Sequence, residues 1–327
     1  MKANRWMYVM LGGMSAACAG VTGAQAQDRY PSKVVRIVVG YSAGGAVDIS
    51  SRLVAQLLSE SLGQAVIVEN RPGNNSILGA DFVAKSAPDG YTLGYVSAAH
   101  TMNPATRGKS LPYHPLNSFA PISLVAMGAQ VLVVNPSLPA KNVKELVELA
   151  RKRPGQMNFA SSGFGGPMHL AGELLKSRAG VNIVHVPYKG GGQALNDVIS
   201  GQVEFCFIGA PVAMPQVSAG RLRLLAVSTP KRMSTLPDVP TVAEQAYPGF
   251  DVNASYSMLA PSGTPTAIVN RLSGAIAKAV ALPDLREKLL ALGVEPVGST
   301  PEQLKAFMQS ELDKWTKLVQ SLGLAEK

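Results

Sequence analysis

From residue 34 onward the chain alternates short runs of β-branched and apolar residues with longer stretches of helical periodicity. That order restricts it to an α/β fold built on a sheet. Residues 34–39, 65–68 and 91–96 read as strands. Residues 48–62 read as a helix, with Leu53, Leu57, Leu58 and Leu62 on one side and Gly63 as its stop, and residues 79–86 as a shorter one. Strands separated by helices predict a mainly parallel sheet covered on both faces. A Pro-rich stretch, residues 104–121, interrupts the pattern. It restarts with strands at 131–134, 157–160, 183–186, 205–208 and 222–227 and helices at 143–152 and 167–178. A loop holding Pro237, Pro240 and Pro248 leads to a strand at 255–259 and helices at 266–279, 283–291 and 301–322. The restart and the return near Gly249 predict a second lobe over residues 127–248.

The beginning of the chain has a different character. Lys2 and Arg5 precede an apolar stretch over residues 6–17, and Ala24, Gln25 and Ala26 place small residues where a signal peptidase reads. The expectation is a signal peptide over residues 1–26 and a periplasmic protein starting near Gln27. Cys18 sits in a weak lipoprotein box, so anchoring there is the less favoured alternative. Without Lys2 and Arg5 the chain has 28 basic and 21 acidic residues, a net charge of +7. Those charges are scattered and no basic run is interleaved with aromatics, so no nucleic-acid partner is expected. The remaining cysteine, Cys206, has no partner for an internal disulfide, so stability must come from a large core.

Two segments resemble each other. One is Gly40-Tyr41-Ser42-Ala43-Gly44-Gly45-Ala46-Val47-Asp48, the other Ser161-Ser162-Gly163-Phe164-Gly165-Gly166-Pro167-Met168-His169. Each follows a strand, opens a helix and has a Gly-Gly pair with a polar residue three positions later. Glycines let backbone N–H groups approach a ligand, and a helix N-terminus adds partial positive charge. Two such turns suit a carboxylate held between two lobes. The plainer alternative is that each Gly-Gly pair only makes a tight turn.

Gly40-Tyr41-Ser42-Ala43-Gly44 also fits the G-x-S-x-G nucleophile elbow of hydrolases. Too few residues precede it for the upstream strands of that fold, and Asp48 shares its helix. No His residue has a metal-binding spacing. His114 suits a surface loop, His185 a strand, and His100 the edge of a pocket. His169, in the first turn of a suspected ligand-facing helix, is the strongest candidate of the four, with packing or capping as the alternative. Tyr188-Lys189-Gly190-Gly191-Gly192 is a further glycine turn before a helix but completes no Walker motif. Neither a metal nor a cofactor is expected.

Motifs spread along the chain carry a family resemblance. They include Gly44-Gly45-x-x-Asp48, Glu69-Asn70-Arg71-Pro72-Gly73, Ala87-Pro88-Asp89-Gly90-Tyr91-Thr92-Leu93 and Phe119-Ala120-Pro121-Ile122. Further on come Ser162-Gly163-x-Gly165 with His169-Leu170-Ala171-Gly172-Glu173, Val186-Pro187-Tyr188-Lys189-Gly190, Pro237-x-Val239-Pro240-Thr241 and Ala260-Pro261-x-Gly263-Thr264-Pro265. The chain resembles the tripartite tricarboxylate transporter substrate-binding proteins, the Bug family of bacterial extracytoplasmic receptors. The resemblance implies a two-lobed type II periplasmic-binding-protein fold. Residues 27–126 and 249–327 would form lobe 1, and residues 127–248 lobe 2. It implies a small carboxylate ligand, delivered to membrane subunits of a tripartite tricarboxylate transporter by a monomeric, non-enzymatic receptor.

By resemblance the ligand falls to Tyr41, Ser42, Ala43, Gly44 and Gly45 on one side and Ser161, Ser162, Gly163 and Gly165 on the other. Ser97, His169 and Tyr188 complete the set, and Asp48 would meet an amino or hydroxyl group. Two departures, Ile208-Gly209 where many relatives carry Asp-Asn and Ala98-Ala99-His100 where they carry Ser-Thr-His, make the pocket less polar and disfavour a citrate-like ligand. A receptor that signals without transport, and a hydrolase using Ser42, are the competing functions.

Overall fold

The first strand, β1 (Val35–Val39), is β-branched at four of five positions and almost wholly buried, so it lies inside a sheet rather than at its edge. A computed structural model gives the protein's structure and describes residues 30–291 and 293–325. The expected signal peptide and Cys18 lie outside the described residues. Strands β2 (Val66–Asn70) and β3 (Thr92–Ser97) pair with β1 on either side, both parallel to it. They are connected through helices α1 (Ala46–Leu62) and α2 (Ile77–Ala84).

The chain then departs from the sequence expectation. Strand β4 runs from Phe119 to Val134, and β9 (Asn253–Pro261) lies antiparallel to both β3 and β4. The second half of β4, from Gln130 to Val134, pairs antiparallel with β7 (Phe205–Gly209), while its last four residues also pair with β8 (Arg223–Val227). Beyond β7, strands β5 (Asn158–Ser161) and β6 (Val184–Pro187) are parallel. The short β10 (Val294–Pro296) joins β4 at residues 126–128. The expected mainly parallel sheet is therefore corrected to a mixed one. The reason is that β9 lies between β3 and β4 and runs against both, and that β4, parallel to β3 in the first sheet, runs against β7 and β8 in the second. Two sheets result, and β4 belongs to both.

The Pro-rich stretch is likewise not a plain loop. Helix α3 (Ala99–Arg107) carries Pro104 inside it, and burial of Met102, Asn103 and Thr106 holds that helix against the proline's cost. At Pro121 the β4–β9 register shifts, which accommodates a residue without an N–H. Helix α7 (Ala210–Ser218), which two prolines hid from a sequence reading, starts with Pro211 in its first turn, where no donor is needed.

Helices α4 (Val143–Lys152), α5 (Pro167–Ala179) and α6 (Gly191–Ile199) cover the second sheet. After the short α8 (Val242–Gln245), α9 (Thr266–Ala281) and α10 (Pro283–Ala291), the last helix, α11 (Pro301–Ser321), begins with a capping box of Thr300 and Gln303. It serves both halves: Leu304 and Met308 pack in a cluster with Val38, Phe119 and Leu259. Trp315 and Val319 pack with Leu132, Phe159 and Phe205. Among the described residues no helix is long and apolar enough to cross a membrane. Cys206 is buried, and that burial pushes its thiol well above the ordinary range.

Candidate functional site

The two glycine turns share one local plan. In the first, Gly44 adopts φ +82° and Gly45 is the extended N-cap of α1. In the second, Gly165 adopts φ +78° and Gly166 is the extended N-cap of α5. Positive φ explains glycine at both inner positions. Each positive-φ amide donates to the side chain four residues on: Gly44 N–H to Asp48 Oδ2 at 2.9 Å, and Gly165 N–H to His169 Nδ1 at 3.0 Å. The polar residue after each Gly-Gly pair is therefore the turn's own internal acceptor.

Two residues expected at the ligand lie outside the cleft lining. Asp48 is buried and does not line the cleft. Arg52 Nε reaches both of its oxygens at 3.0 Å, and Asn70 Nδ2 donates to Oδ1 at 2.9 Å. Burial alone would raise its pKa, but Arg52, the Gly44 amide and Asn70 outweigh that and hold the carboxyl below its ordinary value. His169 is buried behind its turn against His185, with ring centroids 4.0 Å apart, and does not line the cleft either. Its Nδ1 accepts the Gly165 amide, so the ring is neutral. Burial, then His185 and Lys176, push its pKa down to about 3.

Four other expected contacts also face elsewhere. Ser161 Oγ bonds His185 Nε2 and the Gly163 amide, which keeps both Ser161 and Gly163 out of the lining. Gly165 faces Thr106. The Tyr188 phenol turns away to donate to Asp197, which pushes its pKa up to about 12.

What remains is a cleft of about 500 Å³ between the two sheets. Tyr41, Ser42, Ala43, Gly44, Gly45 and Ser97 line it from one side and Ser162 from the other. Tyr41 O–H donates to Asn75 Oδ1 at 3.2 Å and bonds Ser97 Oγ at 3.1 Å, so the turn is braced from beneath. Asn74, Asn75 and Ser76 hold φ of 46°, 51° and 68°, a left-handed run that L residues resist. Asn75 Nδ2 donates to Asn103 Oδ1 at 2.8 Å, fixing Asn75 against Gly166.

Sequence reasoning missed much of the rest. Gln130, Ala254, Ser255 and Tyr256 reach the cleft because β4 and β9 cross beneath it, and no local motif marks them. Gly190, Gly191, Gly192, Gln193 and Asn196 had a visible signal, the third glycine turn. Ile208 and Gly209 were visible as departures from the family pattern.

The electrostatics follow from the helices. Residues at the starts of α1, α3, α5, α6 and α7 all line the cleft: Gly45, Ala98, Pro167, Gly190 and Gly209. Each N-terminus carries about half a positive charge and amides with no intrahelical partner. Among the described residues, no Asp, Glu, Lys, Arg or His lines the cleft, and none forms a cluster fit for a metal. Ser42 is exposed in the cleft, but among the described residues no histidine or carboxylate lines that cleft to activate it.

A sequence profile of the tripartite tricarboxylate transporter family receptor matches residues 50–324. The chain belongs to this receptor family. Three solved proteins show how far the likeness extends. The periplasmic binding protein BugD is 33% identical with a TM-score of 0.87, over 91% of this receptor and 100% of BugD. Rpa4515 of R. palustris, solved with adipate, is 34% identical with a TM-score of 0.88, over 90% and 99%. MatC of Rhodopseudomonas palustris, solved with malate, is 30% identical with a TM-score of 0.84, over 89% and 100%. The family receptor thus has the two-lobed type II periplasmic-binding-protein fold that the resemblance implied. Family and neighbours are periplasmic binding proteins.

Proposed function

We propose that this receptor captures a small organic carboxylate in the cleft and hands it to membrane subunits of a tripartite tricarboxylate transporter. The observation that carries it is the convergence of five helix N-termini on a cleft that, among the described residues, has no charged side chain in its lining. Amides and dipoles then supply the attraction, as they do at anion sites on helix N-termini elsewhere. Two similar proteins hold the dicarboxylates adipate and malate. The protein acts as a monomer, without catalysis. A signal peptide over residues 1–26 sends it to the periplasm. The lobes are residues 27–126 with 249–327, and residues 127–248, joined through β4 and β9, and they close on the ligand.

Calorimetric titration of released native ligand against its methyl ester tests the carboxylate claim. The acid should bind at least tenfold more tightly, since a hydrogen bond to a charged group contributes about 1.5–3 kcal/mol. Equal affinity would overturn it. Scattering curves should contract when that ligand is added, and an unchanged curve at saturation would count against closure.

Two variants separate roles within the first turn. Ser42→Ala should remove no esterase activity, because no base faces Ser42; ester turnover lost with this one change would establish a hydrolase. Asp48→Ala should free the Gly44 amide and strand Arg52 and Asn70. We expect binding about tenfold weaker for every ligand tested, with or without an amino group. Weakening confined to amino- or hydroxy-acids would restore Asp48 as a direct contact.

A further inference from the structure

Tyr256 stands on β9 between β3 and β4, is only 2% exposed and lines the cleft. Its ring stacks on that of Tyr95, with centroids 6.3 Å apart and planes 17° apart, which holds the phenol in place. Tyr256 Oη makes no hydrogen bond among the described residues. Unlike Tyr95 Oη, it is not sealed from solvent, so it opens on the cleft. Burial, and then the nearby Tyr41 phenol, push its pKa up, so the hydroxyl keeps its proton and can donate. The surroundings of that oxygen favour an anion. A Cβ added at Gly209 would come 2.9 Å from Ala46 Cβ and 3.2 Å from Tyr256 Oη, so the three residues meet at one corner. Ala46 is the first residue of α1 and Gly209 the N-cap of α7, and both line the cleft. Two helix N-termini, each with unpaired amides and partial positive charge, therefore flank a proton donor. A group that meets all three needs lone pairs, and a negative charge on it makes the bonds shorter and stronger. Gly209 itself has φ −58° and ψ 132°, a conformation open to any residue, so it is space rather than backbone freedom that calls for glycine there.

We infer that Tyr256 is a ligand-gripping side chain, its Oη donating to a carboxylate oxygen seated between the starts of α1 and α7, and that Gly209 is glycine so that this hydroxyl stays uncovered. This rests on the carboxylate reading above. Neither residue belongs to the two matched glycine turns. The anchoring point is then the corner where β9 passes beneath α1 and α7.

The test titrates hexanoate, adipate, malate and 3-phenylpropanoate, and the amide of each, calorimetrically into the intact protein. Tyr256→Phe should bind the tightest of these acids about ten- to a hundredfold more weakly, the loss of one hydrogen bond to a charged group. The matching amide should lose only about two- to tenfold, the loss of a neutral one. The urea midpoint of Tyr256→Phe should match the wild type, because the hydroxyl bonds nothing among the described residues. A clearly lowered midpoint would mark the hydroxyl as structural and overturn the inference. Gly209→Ala combined with Ala46→Gly covers the hydroxyl while relieving the contact with α1, and should lose a similar factor for the acid. Acid affinity within about threefold of the wild type in both variants overturns the inference and leaves the carboxylate reading standing. An amide as tight as its acid in the wild type, or no binding by any of the four acids, overturns the carboxylate reading and the inference with it.

Discussion

Gly166→Val should weaken carboxylate binding by at least a hundredfold and leave the scattering curve expanded at ligand concentrations that contract the wild type. Gly166 has an extended backbone at φ −85° and ψ 173°, which any residue can adopt, so the effect is steric rather than conformational. A Cβ there would sit 2.5 Å from Asn75 Oδ1 and 3.1 Å from Asn75 Cγ. Asn75 cannot easily withdraw. Its amide is held by Tyr41 and Asn103, and its backbone already has positive φ. Gly165 faces Thr106 Oγ1 in the same way, with a Cβ 2.5 Å away. These glycines therefore act as sockets in the seam between the two halves. A hundredfold loss corresponds to about 2.7 kcal/mol. Combining Gly166→Val with Asn75→Gly should recover part of it, because the obstructing amide is gone. Gly274→Ala, where a Cβ meets nothing within 4 Å, is the control and should bind normally. Normal affinity in Gly166→Val would show that the seam does not need to close.

Acidification should destabilise the protein well before its carboxylates titrate. Burial pushes His100 down to about 4, against a smaller opposite effect of its bond to the Pro115 carbonyl. Burial with Lys176 pushes His185 to about 4, and His169 lies at about 3. All three lie below the unfolded value of about 6.5. The unfolded chain therefore takes up protons first as pH falls. Stability is fully present above about 6.5 and is lost progressively down to about 4, where the folded forms begin to protonate. At pH 5 His100 and His169 should each cost about 2 kcal/mol, and the partly exposed His185 less, because solvent screens it. His169 and His185 touch, so their contributions fall short of additivity. A total near 5 kcal/mol is comparable with the whole stability of many domains. Urea unfolding at pH 7.5 and pH 5 measures it. His100→Phe, which keeps an aromatic ring against Tyr113 and Phe119, should reduce the difference by about a third. Equal unfolding free energies at the two pH values would show that these histidines are not held neutral.

The sequence alone determined the alternation of strands and helices, the two matched glycine turns, the family and, through it, the two-lobed fold. These are local properties. A β-branched run at Val35–Val39 cannot sit comfortably in a helix, and a Gly-Gly pair before a periodic segment starts one wherever the chain places it. Only the tertiary structure decided which of those residues line the cleft. Asp48 and His169 look like ligand contacts by type and position, yet each is drawn inward because a positive-φ glycine amide four residues earlier needs an acceptor. Gln130 and Tyr256 look like ordinary strand residues, yet they form the floor of the cleft because β4 and β9 cross there with reversed direction. The reversal also turned an expected parallel sheet into a mixed one. Direction and facing depend on which distant strand supplies the hydrogen bonds, and that partner is chosen by packing across the whole chain rather than by any stretch of it.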